Sequence, residues 1–369
     1  MKILHITAIG FLMPKSGVPA VLKALVEEQN KIPGIEARCA SLRSDINEIN
    51  SIYFDDLRDG NINKYISTFR PDVAIFHSFF YTKFIKFRRI LEDYNIPYII
   101  EPHGSFGSMA MRKGWLKKQI AIHTLFRPLL KKSIGYIYTN VAESKDACFH
   151  KKDIAVVPNG VYRNVIDSSS IKCNREYPIF YYLGRYDIHH KGLDYLLAAL
   201  SVLDLRKQEV HINFYGTGSD AEVNFVREGI KRLRYVKALE KGPIYNEEKK
   251  KALEEANIMI LTSRFEGSPI AILDSLSYGN PCLVTPGTNV ADELCDNAIG
   301  WKTQLEANFI ADTIIRAQKE YQEDTIGYYQ RSKAHVLDNY LWSNIAKLAV
   351  VEYDKFIKIY KNERRRNSY

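Results

Sequence analysis

The chain has 369 residues, and its 52 Lys and Arg against 43 Asp and Glu leave a formal charge of +9. That length exceeds one ordinary core and predicts about two domains of somewhat under 200 residues each, with the composition of a soluble globular protein. The basic balance suits an anionic partner such as a nucleotide, a membrane surface or nucleic acid, and no stretch is long and apolar enough to cross a membrane, so membrane association is expected to be peripheral.

In chain order, Ile3–Ala8 reads as a buried strand, and the apolar start is too short for a signal peptide. Gly17 and Pro19 introduce a helix through Val21–Val26, and Val73–Phe76 and Tyr98–Ile100 read as further strands. Arg112–Ile120 and Phe126–Lys132 mix cations with Trp115 and long apolar residues, a pattern that suits either an anionic membrane surface or an ordinary domain helix with solvated lysines, and Pro128 predicts a break. Asn164–Tyr177 carries no periodic apolar pattern and is the expected seam between domains. Beyond it, Ile179–Leu183, Val210–Phe214, Ile258–Leu261 and Pro281–Val284 are again short apolar runs separated by helical patterns. Such alternation predicts an α/β fold: two doubly wound Rossmann-like domains facing across a cleft, with ligands bound outside the carboxyl ends of the strands. Cys39, Cys148, Cys173, Cys282 and Cys295 show no paired spacing for zinc or disulfides, which points to a reducing cytosol.

Two segments of the second half carry chemistry. Gly184–Gly192 follows a strand, and its Arg185 and Lys191 stand six positions apart across a loop flanked by glycines. They can converge on a diphosphate, Arg185 as a bidentate fork and Lys191 as a point charge; a surface loop with ordinary basic residues is the other reading. His189 and His190 suggest a metal, but sequence neighbours rarely aim at one point, and no metal is expected. Further on, Glu266 and Asp274 lie eight positions apart, the first in a loop and the second on a helix begun by the apolar run Ile270–Leu273. Pro269 suits the first helical turn, whose free N–H groups favour an anion or a polarised hydroxyl, and a carboxylate accepts two hydroxyls of a vicinal diol. Equally open is Ser268 as a simple helix cap, with both acids solvated.

Gly184-Arg185…Lys191-Gly192-Leu193-Asp194, followed by Ser263-Arg264-Phe265-Glu266-Gly267-Ser268-Pro269…Asp274…Gly279-Asn280-Pro281, resembles the C-terminal domain of family 4 glycosyltransferases, enzymes of the GT-B fold. Pro102-His103-Gly104-Ser105, Pro158-Asn159-Gly160-Val161, Gly216-Thr217-Gly218 and Trp342 extend the resemblance over nearly the whole chain. It implies an acceptor-binding domain over 1–165, a nucleotide-sugar-binding domain over 175–340, and over 341–369 a helix crossing back to the first domain, with a basic tail. Arg185 and Lys191 would bind the donor diphosphate, Asp274 the ribose hydroxyls and Glu266 the transferred sugar. Gly184, Gly267, Ser268 and Pro269 belong to the donor pocket, Ile244 would meet the base through backbone groups, and Gly17 would let the first loop approach the phosphate. His103 would give a hydrogen bond to the donor sugar rather than act as general base; His77 reads as structural. Two positions depart from the family pattern: Asp274 stands where Glu is usual, and Lys15–Pro19 holds one glycine where two are usual.

The activity so implied is a retaining, metal-independent transfer of a sugar, from a UDP-sugar ahead of a GDP-sugar, to a glycan or lipid-linked acceptor in surface polysaccharide biosynthesis. No cofactor is expected, and the location implied is the cytoplasm or the inner face of its membrane, with 112–132 as the membrane contact. The alternatives are a nucleotide-sugar epimerase of the same fold, or a basic nucleic-acid-binding protein. The latter lacks any aromatic-basic recognition motif beyond 112–132, so nucleic acid is not an expected partner.

Overall fold

The computed structural model describes residues 1–9, 17–43, 52–57, 60–112, 114–167, 176–267 and 270–366. The chain divides into two compact units, Met1–Gly160 with Trp342–Tyr369, and Val161–Leu341.

In the first unit, strands β1 (Lys2–Thr7), β2 (Glu36–Ser41), β3 (Phe54–Asp56), β4 (Val73–His77), β5 (Tyr98–Glu101), β6 (Gly135–Tyr138) and β7 (Ile154–Val156) form one parallel sheet in the order β3-β2-β1-β4-β5-β6-β7. All five residues of β4 are buried, because helices cover both faces of a parallel sheet and leave its strands no solvent side. The long helix Trp342–Arg366 belongs to this unit. Gly160 and Gly135 admit it closely: a Cβ on either would stand 2.6 Å from Trp342 or 2.7 Å from Phe356.

In the second unit, β8 (Ile179–Leu183), β9 (Val210–Tyr215), β10 (Val236–Gly242), β11 (Ile258–Leu261), β12 (Cys282–Val284) and β13 (Gly300–Lys302) form a parallel sheet in the order β10-β9-β8-β11-β12-β13. In both sheets the order reverses next to the first strand, between β1 and β4 and between β8 and β11. At such a switch the connections on either side leave toward opposite faces, so a crevice opens at the carboxyl ends of these two strands.

The division between units falls at Gly160, ahead of the segment 164–177 where the sequence analysis sets the seam. Val161 and Ile166 are buried in the second core, and the Val161 amide donates to the Tyr340 carbonyl, so this stretch is already part of the second unit. Sequence periodicity also passes over β2, β3, β6, β7, β10 and β13. Edge strand β10 is exposed at alternate positions, Lys237, Leu239 and Lys241, and its charged residues leave no continuous apolar run.

The basic stretch is helical from Trp115 to Lys132. Helix Trp115–Ala121 runs into a π-helical turn, Ile122–Phe126, and then into helix Arg127–Lys132. Pro128 stands in the first turn of that last helix, where its missing N–H is tolerated, so the predicted break is a change of winding. No residue of Trp115–Ala121 is buried: Trp115 is 58%, Leu116 63% and Ile120 58% exposed. No helix among the described residues is long and apolar enough to cross a membrane.

Candidate active site

Both chemistry-bearing loops of the second unit leave the carboxyl ends of the two switch-point strands. After β8 the chain is held by Tyr182, whose fully buried ring sends its hydroxyl to the Arg185 carbonyl at 2.6 Å. Asp187 caps the short helix Ile188–Lys191 by accepting from the His190 amide at 3.0 Å, and Gly192, at φ 63°, ends it in the left-handed region. A Cβ on Gly192 would stand 2.0 Å from the Thr262 carbonyl oxygen at the end of β11. Only glycine allows the two loops to come this close, and the contact carries Lys191 to its partner.

After β11, Glu266 is tied at each end. Its carboxylate accepts from Lys191 Nζ and from the Ser263 hydroxyl, both at 2.5 Å, and its carbonyl accepts from Asn289 Nδ2 at 2.6 Å. Lys191 and Glu266 side chains are 16% and 9% exposed, so this is a largely desolvated ion pair that a polar ligand can enter but bulk water barely reaches. Arg264 forks onto Asp194 at 2.9 and 2.6 Å, reaches the His189 carbonyl at 2.5 Å and lies over Tyr195, clamping this loop to the helix Leu193–Leu205. His190 stacks on Phe265 at 4.2 Å, and burial holds its pKa below the usual range; His189 is exposed, so the two neighbours diverge. Arg185 is half exposed and stands 3.5 Å from Asp187. Asp274 lies on helix Ile270–Ser277 and pairs with Lys249 at 2.5 Å.

In the first unit, the switch point holds a buried chain of rings. His5 on β1 and His77 on β4 approach at 2.8 Å (Nδ1 to Nε2), and His77 Nδ1 reaches His103 Nε2 at 2.9 Å. At the far end His5 Nε2 meets Gln29 Oε1 at 2.8 Å. His103 adopts φ 48° in the turn Pro102–Ser105, which Ser105 closes through its amide and hydroxyl to the Pro102 carbonyl. The next amide, of Gly104, donates to buried Glu143 at 2.6 Å, and Glu143 also accepts from the Thr139 amide and hydroxyl. Burial, with Glu143 nearby, pushes Glu101 up to about 8, while burial brings His5 and His103 down to about 4. His77, Glu101 and His103 also place three ligand-type atoms within 4.8 Å of one another, so this trio could hold a metal ion, at the expense of the His77–His103 hydrogen bond.

Against known proteins, residues 177–319 match the family model described as Glycosyl transferases group 1. This segment belongs to that family. The second unit is thus a glycosyltransferase domain, and β8, β11 and both loops lie within the match. No curated protein sequence matches the chain. Among solved structures, sucrose-phosphate synthase from Thermosynechococcus elongatus superposes with a TM-score of 0.74 at 15% identity, over 97% of this chain and 100% of that one. Anabaena HepE in complex with UDP gives 0.73 at 14%, over 96% and 100%. The lipopolysaccharide outer core galactosyltransferase WaaB gives 0.67 at 17%, again over 96% and 100%. At these identities the likeness establishes the fold, the two-domain GT-B arrangement of parallel sheets.

Of the expected site residues, the glycosyltransferase domain brings Lys191 and Glu266 into contact and keeps Gly184 and Arg185 on the same β8 loop. Asp274 has its own cation, and Ile244 is half-buried against the core in the loop after β10. Gly267 lies in the β11 loop; Ser268 and Pro269 lie outside the described residues. Gly17 and His103 belong to the first unit, Gly17 exposed at the start of helix Gly17–Gln29. Lys249 and Glu143 were missed. Asn140 followed three positions later by Glu143 is a helix-start signal that marks Glu143, and Asn140 does cap that helix. Nothing in the sequence singles out Lys249 from its neighbours Lys250 and Lys251.

Proposed function

We propose that the protein is a retaining glycosyltransferase that works without a metal and moves a sugar from a UDP-sugar to a glycan or lipid-linked acceptor in surface polysaccharide synthesis. The observation that carries this reading is the desolvated Lys191–Glu266 pair at the β8/β11 switch point, within the segment that matches group 1 glycosyltransferases. A nucleotide diphosphate-sugar entering there exchanges a ligand contact for part of that ion pair. Lys191 turns to the diphosphate, and Glu266, still held by Ser263, accepts sugar hydroxyls. Charge that grows on the departing nucleotide meets Lys191 and the Arg185 fork, which is electrostatic stabilisation of the transition state. Asp274 takes the ribose hydroxyls, and His103 forms a further hydrogen bond with the transferred sugar. HepE, one of the similar folds, has been solved with UDP and with UDP-glucose, which favours uridine in the donor.

The test is a panel of UDP- and GDP-sugars offered to the purified protein in the presence of a chelator. Slow hydrolysis of a UDP-sugar and a rise in melting temperature with UDP are expected. Neither turnover nor nucleotide binding across the panel would sink the reading. An epimerised donor sugar recovered without any acceptor would replace it by the epimerase alternative.

For the acceptor side, we read the face of Trp115, Leu116 and Ile120 as a contact with the cytoplasmic surface of an anionic membrane. These apolar groups are more than half exposed, and Arg112, Lys117, Arg127, Lys131 and Lys132 supply cations along the same stretch. Co-sedimentation with anionic vesicles but not neutral ones is expected, reduced by salt and lost in a Trp115→Ala, Leu116→Ser double variant. Equal partition to both vesicle types would remove the electrostatic part of the claim.

A further inference from the structure

The chain of rings in the first unit has a direction, and that direction determines what His103 can recognise. Three junctions link Gln29, His5, His77 and His103, at 2.8, 2.8 and 2.9 Å. Each junction needs one donor and one acceptor, and a neutral imidazole supplies one of each. Fixing any one proton in such a series therefore fixes all the others. Gln29 presents its carbonyl oxygen, which only accepts, so His5 must donate from Nε2 and accept at Nδ1. His77 then donates from Nε2 to His5 and accepts at Nδ1, and His103 must donate from Nε2. A second proton on His5 or His77 would set N–H against N–H at one junction.

We propose that Gln29, His5 and His77 are positioning residues, a one-directional hydrogen-bond chain that holds His103 as its Nε2–H tautomer and leaves Nδ1 as a bare acceptor. His103 Nε2 is committed to His77, so Nδ1 is the atom left for a ligand. A bare Nδ1 accepts a hydrogen bond from a hydroxyl and repels a phosphate or carbonyl oxygen. The chain thus makes His103 selective for a sugar hydroxyl and withholds it from the anionic part of a nucleotide donor. This consequence for catalysis rests on the reading of His103 as a contact of the transferred sugar, whereas the tautomers themselves do not.

Three further observations support the assignment. His5 and His77 are fully buried, and their surroundings do not favour a charged ring: burial lowers both, and for His77 the two neighbouring rings add to the effect. The carboxyl facing the rings, Glu101, lies 3.5 Å from His77 Nδ1 and from His103 Nε2, and burial raises its pKa, which disfavours the charged counter-ion that an imidazolium would need. His103 is also oriented by its neighbour, stacking on His77 at 5.2 Å with 25° between the rings.

The experiment is nitrogen NMR on the full chain labelled at histidine, where protonated and bare ring nitrogens have well-separated shifts. His5, His77 and His103 are each expected to carry the proton on Nε2. A His103 protonated on Nδ1, or an even mixture of the two forms, would overturn the proposal. Gln29→Met removes the oxygen at comparable length and is expected to give mixed tautomers at all three rings, with kcat lower by about tenfold or more and the donor KM changed less than about twofold. Leu22→Ala, on the same helix, fully buried and about two turns from Gln29, loosens the core away from the chain, and its ring tautomers should match those of the parent. Mixed tautomers in that variant would show that packing, not Gln29, sets the proton, and would also overturn the proposal. So would stoichiometric Zn²⁺ that shifts both His77 and His103, because the rings would then be ligands. Correct tautomers in a protein that turns over no nucleotide-sugar leave the chain standing and reject the glycosyltransferase reading; turnover with the wrong tautomer does the reverse.

Discussion

The two switch points are built on the same strand order and hold opposite chemistry. Between β1 and β4 the polar groups sit on the strands themselves, at His5 and His77, or in the first turn beyond β5, at His103. They are hydrogen-bonded to one another, His5 and His77 are fully buried, and burial holds all three pKa values below the usual range. Between β8 and β11 the strands are apolar, and the polar groups sit in the loops beyond them as Lys191–Glu266 and Arg185. The difference follows from depth. A charge on a central strand pays full desolvation, so only groups that can be neutral persist there, whereas a strand-end loop keeps enough hydration to hold an ion pair until a charged ligand replaces the water. On the proposed reading, equivalent crevices serve separate tasks, one to grip an anion and one to fix a proton.

The largest expected effect comes from breaking the charged side. Lys191→Ala should lower turnover by about two to three orders of magnitude, the size seen when one transition-state donor is lost. Steady-state kinetics would check it, and unchanged turnover would take Lys191 out of the site. Gly192→Ala attacks the loop contact beneath the same lysine. With φ 63° and a Cβ only 2.0 Å from the Thr262 oxygen, it should cost at least about 2 kcal/mol of stability, read from urea unfolding. A neutral result would mean that the loops separate at little cost. Asp274→Ala should weaken UDP binding by about tenfold or more with little change in kcat, a separation that calorimetry and kinetics together can check. A kcat effect larger than the binding effect would place Asp274 at the sugar instead.

The neutral side is sharpened by pH. The unfolded chain protonates histidine near 6.5, while folded His5 and His103 resist until about 4, so their contribution to stability is lost as pH falls through that window. Glu101 has the reverse sense. Folded, it keeps to about 8 a proton that the unfolded chain releases near 4.5, so its contribution declines as pH rises between these values. Below 6.5 the rings outnumber the one carboxyl, and above it only the Glu101 decline remains. Stability of the first unit should therefore peak near pH 6.5, and Glu101→Gln should flatten the arm between 6.5 and 8. An alkaline arm that survives this substitution would assign it to another group.

Much of the second unit was legible from residue order. The runs Ile179–Leu183 and Ile258–Leu261 are buried on both faces and read as strands because nothing polar interrupts them. Lys191 and Glu266 were legible because each follows such a run within a loop of turn-forming residues. Edge strands β3, β7, β10 and β13 were not, since short or one-sided burial leaves no periodic signature. His77 read as structural for a related reason: a histidine on an apolar strand looks the same whether it fills space or passes on a hydrogen bond.

By itself, the sequence determined the alternation of strands and helices, the two-unit α/β plan and the presence of cations and acids in loops after β8 and β11. These are local properties, set by apolar runs and turn residues within a few positions of each other. Tertiary structure alone decided who meets whom: Lys191 with a Glu266 that lies 75 residues away, Asp274 with Lys249, and His5 with a His77 that lies 72 residues away. Such pairings depend on strand order and register, which place two neighbours of the sheet side by side regardless of the length of chain between them. Charge, proton position and ligand choice all depend on those pairings.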